Sequence, residues 1–525
     1  MPSRKFIIYL LLVLLINLLT VIPALANNLL INNVSIEDRN PGTHTATVQF
    51  DISWNNSWRS KINHDAVWVT VRLYNASQSP TYKKLCDLTS SGINPAGTTY
   101  GSNAGLEIAV PGDRKGAFIR PANFGENAAV AANDVQLTID YSSCGFSATD
   151  TVHATVFGLE MVLVPEGAFY AGDFNGSSAS LHEGSADSDP WYIAGEGSIN
   201  VSNMATNGFR YASAGFPGED ATGAGFTVPM MYPKGYKAFY VMKYELNEGQ
   251  WVEFLNSLPS AARANRDLTN SAHKNTDLVI KRNTLDCSGS PLICASNRGA
   301  RAVSFLTWMD LAAFLDWAAL RPMSELEFEK AARGPVLSTS GEFVWGNTHV
   351  AAADALSGAV ESGTETVTTV GANANFGSTV LTGGDSANGA EYGQGPLRNG
   401  IFATADSTRE SSGASYYGVM ELSGDLREGL VTIGNATGRS FQGSHGDGKL
   451  SSVSGFEGNA DQGDWPGMDA VAAHGVTGAA GSGSRGGAWD DAPANCTISD
   501  RSQAANAVAA AANNSGGRGV RTNDL

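Results

Sequence analysis

The chain has 525 residues, of which 42% are apolar and only 16% are charged. This length exceeds that of one ordinary domain and the apolar content excludes a disordered chain, so we expect two or three folded domains. The net charge of −17 argues against a nucleic-acid partner, because binding to phosphates requires a basic face.

Residues 1–26 are predicted to be a signal peptide. Two basic residues, Arg4 and Lys5, precede an apolar run at 6–22, and Ala-Leu-Ala at 24–26 has the small-x-small form of a cleavage site. The alternative is an uncleaved membrane anchor. No later segment is apolar over a bilayer-spanning length, so we expect no transmembrane segment in the mature chain. The mature protein is expected outside the cytoplasm, either secreted, at the cell surface or in the periplasm.

Residues 27–156 are predicted to form an all-β, immunoglobulin-like sandwich. Apolar and polar residues alternate there with a period of two, which is typical of half-buried antiparallel strands. The apolar positions are Val48, Phe50, Ile52 and Trp54, then Val67, Val69, Val71 and Leu73, then Val135, Leu137, Ile139 and Tyr141. We find no catalytic constellation in this region and expect a spacer or docking module.

Five cysteines fit an extracytoplasmic chain, because disulfides persist in oxidising compartments. Cys86 and Cys144 lie in the first region and are expected to pair. Cys287 and Cys294 bracket a short Ser-Gly-Ser-Pro loop that a disulfide could close. Cys496 is left over.

Three amphipathic helices are predicted in the second region. Asn247 is a good N-cap for the first, and Thr307 caps the second, which extends to Ala318. Ser324 and Glu327 form a capping box for the third helix, which stops near Gly334. Beyond residue 335 the chain is mostly Gly, Ser, Ala, Asn and Thr, which indicates long irregular loops around a small core.

Eight short motifs follow one another from residue 161 onward. They are Met-Val-x-Val-Pro-x-Gly-x-Phe at 161–169, Lys-Tyr-Glu and an aromatic helix at 243–255, Val-Ser-x-x-x-Ala at 303–313, Leu-Arg through Ala-Ala-Arg-Gly at 320–334, Trp-Gly at 345–346, Gly-x-x-x-Leu-x-Gly-Asp-x-x-Glu at 418–428, Arg-Gly-Gly-Ala-Trp at 485–489 and Gly-Val-Arg at 519–521. In this order they resemble the formylglycine-generating enzyme family, also called the sulfatase-modifying-factor domain. The resemblance implies an α+β, C-type lectin-like domain over 159–525 that is rich in irregular loops.

The oxidase members of that family need two cysteines after the Arg-Gly-Gly motif to bind copper, and the matching positions here are Asp491 and Cys496. A carboxylate cannot replace a thiolate in a Cu(I) site, because a soft metal requires soft ligands. We therefore expect no copper and do not carry the oxidase activity over to this chain.

The family's calcium loop, Gly-Asn-x-x-Glu, corresponds here to 424–428. Asp425 and Glu428 are therefore candidate ligands, since carboxylate oxygens suit Ca²⁺. Arg427 and Gly429 replace the usual tryptophans. The alternative is that the carboxylates are solvated or paired with arginine.

The segment 490–518 is the candidate variable region. It is made mainly of Ala, Asn, Asp, Ser and Gly and contains no Lys, Glu, Met or Trp. The chain most resembles family members that are the variable proteins of diversity-generating retroelements, in which Asn codons are rewritten into this restricted set. The alternatives are a plain loop or an alanine-rich helix over 504–512.

These patterns favour a secreted or surface-displayed, non-catalytic protein that binds a protein or glycan ligand through this segment. Strong anchors in interfaces are aromatic or Arg, so we expect neighbouring Trp and Arg residues to take part. The family resemblance implies the alternative that Arg501 and Arg521 brace the fold. The candidate contact residues are Trp489, Asp490, Asp491, Asn495, Asp500, Arg501, Asn506, Asn513, Asn514 and Arg518. The alternative functions are an extracytoplasmic formylglycine-type oxidase and a self-associating subunit of a surface layer or filament.

Overall fold

The computed structural model describes residues 28–75, 77, 82–174, 177–183, 189–201, 209–211, 216–219 and 225–525. The predicted signal peptide, like its alternative of a membrane anchor, lies outside these residues. Within the described ranges, every helix is too short or too polar to cross a lipid bilayer.

Most regular structure in the described chain is β-strand. The strands are β1 (Leu30–Asn40), β2 (Thr45–Arg59), β3 (Asp65–Tyr74), β4 (Lys84–Leu85), β5 (Asp87–Leu88), β6 (Gly92–Ile93), β7 (Thr98–Thr99), β8 (Leu106–Val110), β9 (Ala117–Pro121), β10 (Gly125–Asp140), β11 (His153–Val164), β12 (Phe169–Ala171), β13 (Leu181–Glu183), β14 (Trp191–Ile193), β15 (Ile199–Val201), β16 (Phe209–Tyr211), β17 (Phe226–Val228), β18 (Phe239–Met242), β19 (Leu285–Ser288), β20 (Ile293–Ser296), β21 (Arg321–Pro322), β22 (Arg427–Val431), β23 (Ser482–Arg485), β24 (Ser515–Gly516) and β25 (Gly519–Thr522).

The helices are few and short. They are α1 (Glu248–Ser257), α2 (Ser260–Arg266), α3 (Trp308–Trp317), α4 (Glu325–Arg333), α5 (Ala390–Gly393) and α6 (Ala436–Arg439), with 3₁₀ turns at Gly384–Asn388, Ala472–His474 and Pro493–Cys496. The three predicted N-caps are confirmed: Asn247, Thr307 and Ser324 begin α1, α3 and α4, each in a complete capping box. Each such cap is worth about 1 kcal/mol.

A five-stranded antiparallel sheet in the order β1, β2, β10, β5, with β7 also paired to β10, covers one side of the first region. The predicted alternation along β2 and β10 is confirmed, with Val48, Phe50 and Leu137 fully buried. These side chains share one hydrophobic cluster with Val67 and Val69 of β3, which belongs to a second sheet. Two sheets therefore enclose a common core, as the sequence predicts.

The second sheet has nine strands in the order β21, β25, β18, β11, β3, β9, β8, β6, with β4 paired to β3. The prediction that β3 is only half-buried is wrong, because both of its faces are covered. Trp68 is buried on the outer face and donates from Nε1 to the Ala318 carbonyl at 2.9 Å. Arg72 lies beside it, 3.8 Å from the ring of Trp317 in α3. Helix α3 from the second region thus takes the place of solvent.

Strand β11 covers residues 153–164 and pairs along its length with β3, then with β18. It therefore runs through the expected boundary between the regions 27–156 and 159–525 and joins them in one sheet. The division into two domains stays a prediction.

Two disulfides are present among the described cysteines, Cys86–Cys144 and Cys287–Cys294, as expected. The second closes the β19–β20 hairpin, in which the two cysteines lie opposite each other. Cys496 is free and buried.

Candidate functional site

A three-stranded sheet holds both ends of the C-terminal segment. Strand β22 pairs antiparallel with β23 and parallel with β24, so that Glu428 lies opposite Arg485 and Arg427 lies opposite Ser515. Residues 486–514 therefore form a loop that begins beside one edge of β22 and ends beside its other edge. Because β23 and β24 both pair with β22, the same strand holds the two ends of this loop.

Two arginines of this region converge on one carboxylate in helix α4. Arg485 Nη1 lies 3.2 Å from Glu325 Oε1, and Arg501 Nε donates to the same oxygen. None of the three side chains is exposed. Burial alone would raise the pKa of Glu325, but Arg501 and Arg485 hold it below its usual value. We call these three residues the Glu325 triad. It fastens the middle of the segment to the helical core.

Arg518 fastens the end of the segment. Its Nε donates to Glu428 Oε1 at 2.6 Å, and its Nη1 donates to the carbonyls of Met242 and Lys243 at 3.2 Å. The side chain has no exposed surface. Arg518 therefore connects β22 to the end of β18.

The structure places five of the ten candidate contact residues in the interior. Trp489 donates from Nε1 to the Asn513 carbonyl at 3.0 Å, and Asn514 Nδ2 donates to Asp490 Oδ1 at 3.0 Å, so the two ends of the loop 486–514 contact each other. The five buried residues are Trp489, Asp500, Arg501, Asn514 and Arg518. In this conformation they support the segment from beneath, and a ligand on the surface would not reach the two arginines.

The other five candidates keep contact with solvent. Asn506 is exposed, and Asp490, Asp491, Asn495 and Asn513 are partly exposed. Small residues surround them: residues 492–494, 507, 509 and 510 are all exposed. These positions form two exposed stretches, one at each side of residues 496–505, of which all but Gln503 are buried.

The alternative of an alanine-rich helix over 504–512 is wrong, because residues 504 and 505 lie in a turn and 506–512 form bends and irregular loop. Ala504 and Ala505 are buried, and a Cβ on Gly483 would lie 1.7 Å from the Ala504 carbonyl oxygen. The close approach of two backbone segments therefore explains the glycine just before the Arg-Gly-Gly motif.

Two departures from the family pattern contact each other. Asp491 stands where the oxidases have their first thiol, and Arg427 stands where the calcium loop has a tryptophan. Arg427 Nε donates to Asp491 Oδ2 at 2.8 Å, and Nη2 donates to Oδ1 at 2.6 Å. This bidentate geometry is the one that guanidinium and carboxylate groups favour.

Cys496, the second thiol position, is fully buried. Burial, together with the negative charges of Asp491 and Asp500, raises the pKa of its thiol far above the usual value. Thiol nucleophiles and soft-metal ligands act as thiolates, so this environment opposes both roles.

Four carboxylates, Glu245, Glu421, Asp425 and Glu428, form what we call the buried acid cluster. Burial raises the pKa of each. In Glu245, Glu421 and Glu428 the neighbouring carboxylates raise it further and Arg518 opposes the shift, and the pKa of Glu421 reaches about 8. In Asp425 the hydrogen bonds from Asn375 and the Leu397 amide oppose the effect of burial. Each has one oxygen that receives no hydrogen bond from the described residues. Sequence analysis had named only Asp425 and Glu428.

Carboxylate oxygens are the donors that Ca²⁺ prefers. Among the described residues, however, only Asp316, Asp447 and Asp461 bring three carboxylate oxygens within 4.8 Å of one another, so the support for a cation in the buried acid cluster is its donor chemistry and not its spacing. Asp425 adopts a left-handed backbone with φ of 65°, which Asp and Asn tolerate better than other side chains. Its Oδ1 accepts hydrogen bonds from Asn375 Nδ2 and from the Leu397 amide, both at 2.8 Å. Glu428 is already paired with Arg518, which agrees with the arginine-paired alternative for that residue.

Sequence analysis missed a second acidic group, at the end of helix α3. Oxygens of Asp316, Asp447 and Asp461 lie within 4.8 Å of one another. Asp316 is buried, and its carboxylate accepts from the amides of Asp447 at 3.0 Å and Asp461 at 2.9 Å. Because backbone donors satisfy both oxygens, we assign Asp316 the role of bracing the loop 447–461.

Comparison with known proteins identifies the family of the chain. Among solved structures, the chain is similar to Treponema denticola variable protein 1, with 12% sequence identity over 70% of this chain and 96% of that chain and a TM-score of 0.28. At this TM-score the likeness supports no conclusion about function. No curated protein matches the chain. The sequence profile of the sulfatase-modifying factor enzyme 1-like domain matches residues 152–523, which is most of the chain. The chain therefore belongs to the sulfatase-modifying factor enzyme 1-like domain family.

Proposed function

We propose that this chain is a non-catalytic ligand-binding protein, secreted or displayed outside the cytoplasm. Its lectin-like scaffold would present the segment 490–518 as an exchangeable contact surface. The observation that carries this proposal is that some parts of the segment are buried and fixed, whereas others are exposed. The ends and the middle are held by β22 and by buried arginines, whereas residues 492–494, 506, 507, 509 and 510 are exposed and small.

The absence of a catalytic role is inferred from the two thiol positions. Asp491 is engaged by Arg427, and Cys496 is buried with its proton held tightly. A Cu(I) site needs two thiolates, and this environment offers none.

We propose that the segment is diversified between related copies of the chain. The exposed positions are small, so larger residues could replace them without disturbing the Glu325 triad. A reverse-transcriptase gene beside a near-copy of the stretch that encodes residues 483–521 would support this mechanism. The absence of both would count against it.

The ligand is proposed to be a protein or a glycan outside the cytoplasm. Among the candidate residues, Asp490, Asp491, Asn495, Asn506 and Asn513 are placed to contact it directly. The buried candidates would act by holding these residues in position. The two disulfides support an oxidising compartment.

We further propose that Ca²⁺ occupies the buried acid cluster as a structural ion. Asp425, Glu245 and Glu421 would hold it by their carboxylates, beside the pair of Glu428 with Arg518. The ion would supply positive charge where, among the described residues, only Arg518 forms an ion pair with one of the four buried carboxylates.

The direct test is a protein and glycan array probed with the purified chain and with a surface variant, Asn506→Lys combined with Ala509→Glu. We expect the chain to bind a restricted ligand class and the variant to lose or change it, with the melting temperature unchanged. The matched control is Lys449→Gln, an exposed change outside the segment. Identical binding by the surface variant would refute the proposal, and self-assembly without any ligand would favour the structural-subunit alternative.

A further inference from the structure

A second cleft lies away from the C-terminal segment, where the first region meets the second. Its volume is about 570 Å³, within the range of about 300–1,000 Å³ that small-molecule sites occupy. Asn56, Trp58 and Asn63 line it from the first region, and Lys243, Tyr244 and the loop 403–418 line it from the second. None of its lining residues belongs to the segment 490–518.

The cleft has one aromatic wall and one polar wall. Trp58, Tyr244, Tyr416 and Tyr417 supply ring surfaces, which is a common way to bury the apolar face of a ligand. The lining also includes hydroxyl groups at residues 404, 407, 408 and 412 of an irregular loop. A purely apolar ligand would strip water from this loop without replacing its hydrogen bonds, which is unfavourable.

The charges of the cleft are positive. Lys243 and Arg409 line it, and no Asp or Glu is among its lining residues. Lys243 has a partner, since its Nζ lies 3.4 Å from Glu160 Oε2. Arg409 has no carboxylate within ion-pair distance among the described residues, and its Nε has no acceptor there.

Arg409 is held in place without being neutralised. One Nη donates to the Val344 carbonyl, and the guanidinium lies 5.6 Å from the Tyr416 ring. Burial lowers its pKa, although Glu342 and Tyr416 act in the opposite direction. The nearest acidic neighbour in sequence, Glu410, is engaged by Asn347 and His349. An incompletely compensated guanidinium of this kind favours an anionic ligand.

We propose that this cleft binds a carboxylate-bearing sugar unit, such as a hexuronate or a sialate. The carboxylate pairs with Arg409, the C–H face of the sugar ring packs on the aromatic wall, and the sugar hydroxyls replace water on the polar loop. Free acidic sugars and the acidic ends of glycan chains share this chemistry. The proposal stands independently of the function of the segment 490–518.

The test is isothermal titration calorimetry of the purified chain with sodium glucuronate, N-acetylneuraminate, an oligosaccharide ending in glucuronate, neutral glucose and sodium acetate. We expect at least one acidic sugar to bind with a Kd of about 1 mM or tighter, and glucose and acetate not to saturate. Binding of the free sugars alone identifies a small-molecule ligand, and binding of the oligosaccharide as well identifies a glycan end. No acidic-sugar binding, or equal binding of glucose or acetate, overturns the proposal.

Two variants locate the site. Arg409→Gln should weaken binding about tenfold or more, because a charged bidentate partner is lost. Ala405→Trp adds bulk at an exposed position that lines the cleft, so it should abolish binding with the melting temperature unchanged. Lys449→Gln is the matched control and should bind as the unaltered chain does. Unchanged affinity in Ala405→Trp would place any binding elsewhere and overturn the assignment.

Discussion

Asp491 and Arg427 form a bidentate ion pair, with Nη2 to Oδ1 at 2.6 Å and Nε to Oδ2 at 2.8 Å. Both side chains keep some solvent contact, so the pair adds no more than about 1 kcal/mol to stability. The family resemblance matches Asp491 to a copper thiol of the oxidases and Arg427 to a tryptophan of the calcium loop. In the structure these two positions contact each other.

We predict that the purified chain takes up no stoichiometric Cu(I) in competition with a Cu(I) chelator. It should also leave the thiol of a Cys-x-Pro-x-Arg peptide intact, because a single buried thiol cannot provide a two-thiolate site. Absorbance of the chelator complex and mass spectrometry of the peptide measure the two outcomes. Cys496→Ser is the control and should behave identically; uptake of one Cu(I) per chain that this variant abolishes would contradict the prediction.

The Glu325 triad should dominate the stability of the C-terminal segment. Arg501→Ala removes a buried partner from both Glu325 and Glu219, and breaking a buried pair costs about 3–5 kcal/mol. The matched change Asn506→Ala lies on the exposed part of the same segment and should stay within about 0.5 kcal/mol. Urea denaturation measures both free energies of unfolding. Similar values for the two variants would mean that the triad is not what holds the segment.

The contribution of the buried acid cluster to the free energy of unfolding should fall as pH rises from about 4.5 to about 8. Burial, with Asp425 as a like-charged neighbour, raises the folded-state pKa of Glu421 to about 8 from an ordinary value of 4.5. The folded state therefore binds the proton more tightly than the unfolded state does. The resulting stabilisation is complete below the ordinary pKa of 4.5 and is lost as the pH passes the raised pKa of about 8. Melting temperatures across this window measure the slope.

Glu421→Gln should flatten that slope, since the titrating group is gone. Asp461, whose pKa burial and Asp447 raise to about 6, provides a second and separate contribution. Asp461→Asn should therefore remove slope near pH 6 and leave the part near pH 8. If Glu421→Gln leaves the profile unchanged, the cluster does not titrate as proposed.

Calcium should raise the melting temperature, and more at pH 8 than at pH 5.5, because protons compete with the ion for the same carboxylates. Differential scanning fluorimetry with CaCl₂ against EDTA measures the shift. Glu245→Gln, which removes one proposed ligand charge, should reduce it, whereas Glu457→Gln at an unrelated surface position should not. A shift of equal size in both variants would count against the cluster as the calcium site.

Local features of the fold were predictable from the sequence. The caps at Asn247, Thr307 and Ser324 depend on residues three positions apart, and the alternation along β2 depends on its own side chains. The covered outer face of β3 was not predictable, because Trp68 and Arg72 contact Ala318 and Trp317 about 250 positions away in the chain.

The sequence predicts which segment is the candidate site but not which of its residues are buried. Composition points to the segment 490–518, and Arg518 was expected to be a surface contact, whereas for Arg501 the family resemblance also implied a bracing role. Their burial depends on Glu325 and Glu428, which distant parts of the chain supply. The same limit applies to Glu245 and Glu421, since their carboxylates join Asp425 and Glu428 only after folding.

The claim at the centre of this account is that a rigid frame carries an exchangeable surface. Two displayed libraries test this claim: one randomises residues 492, 494, 506, 507, 509 and 510, and the other randomises residues 501, 504, 505, 514 and 518. The measurement is the fraction of members of each library that resist protease. The account predicts that most members of the first library fold and that few of the second do. Equal tolerance in the two libraries would contradict it.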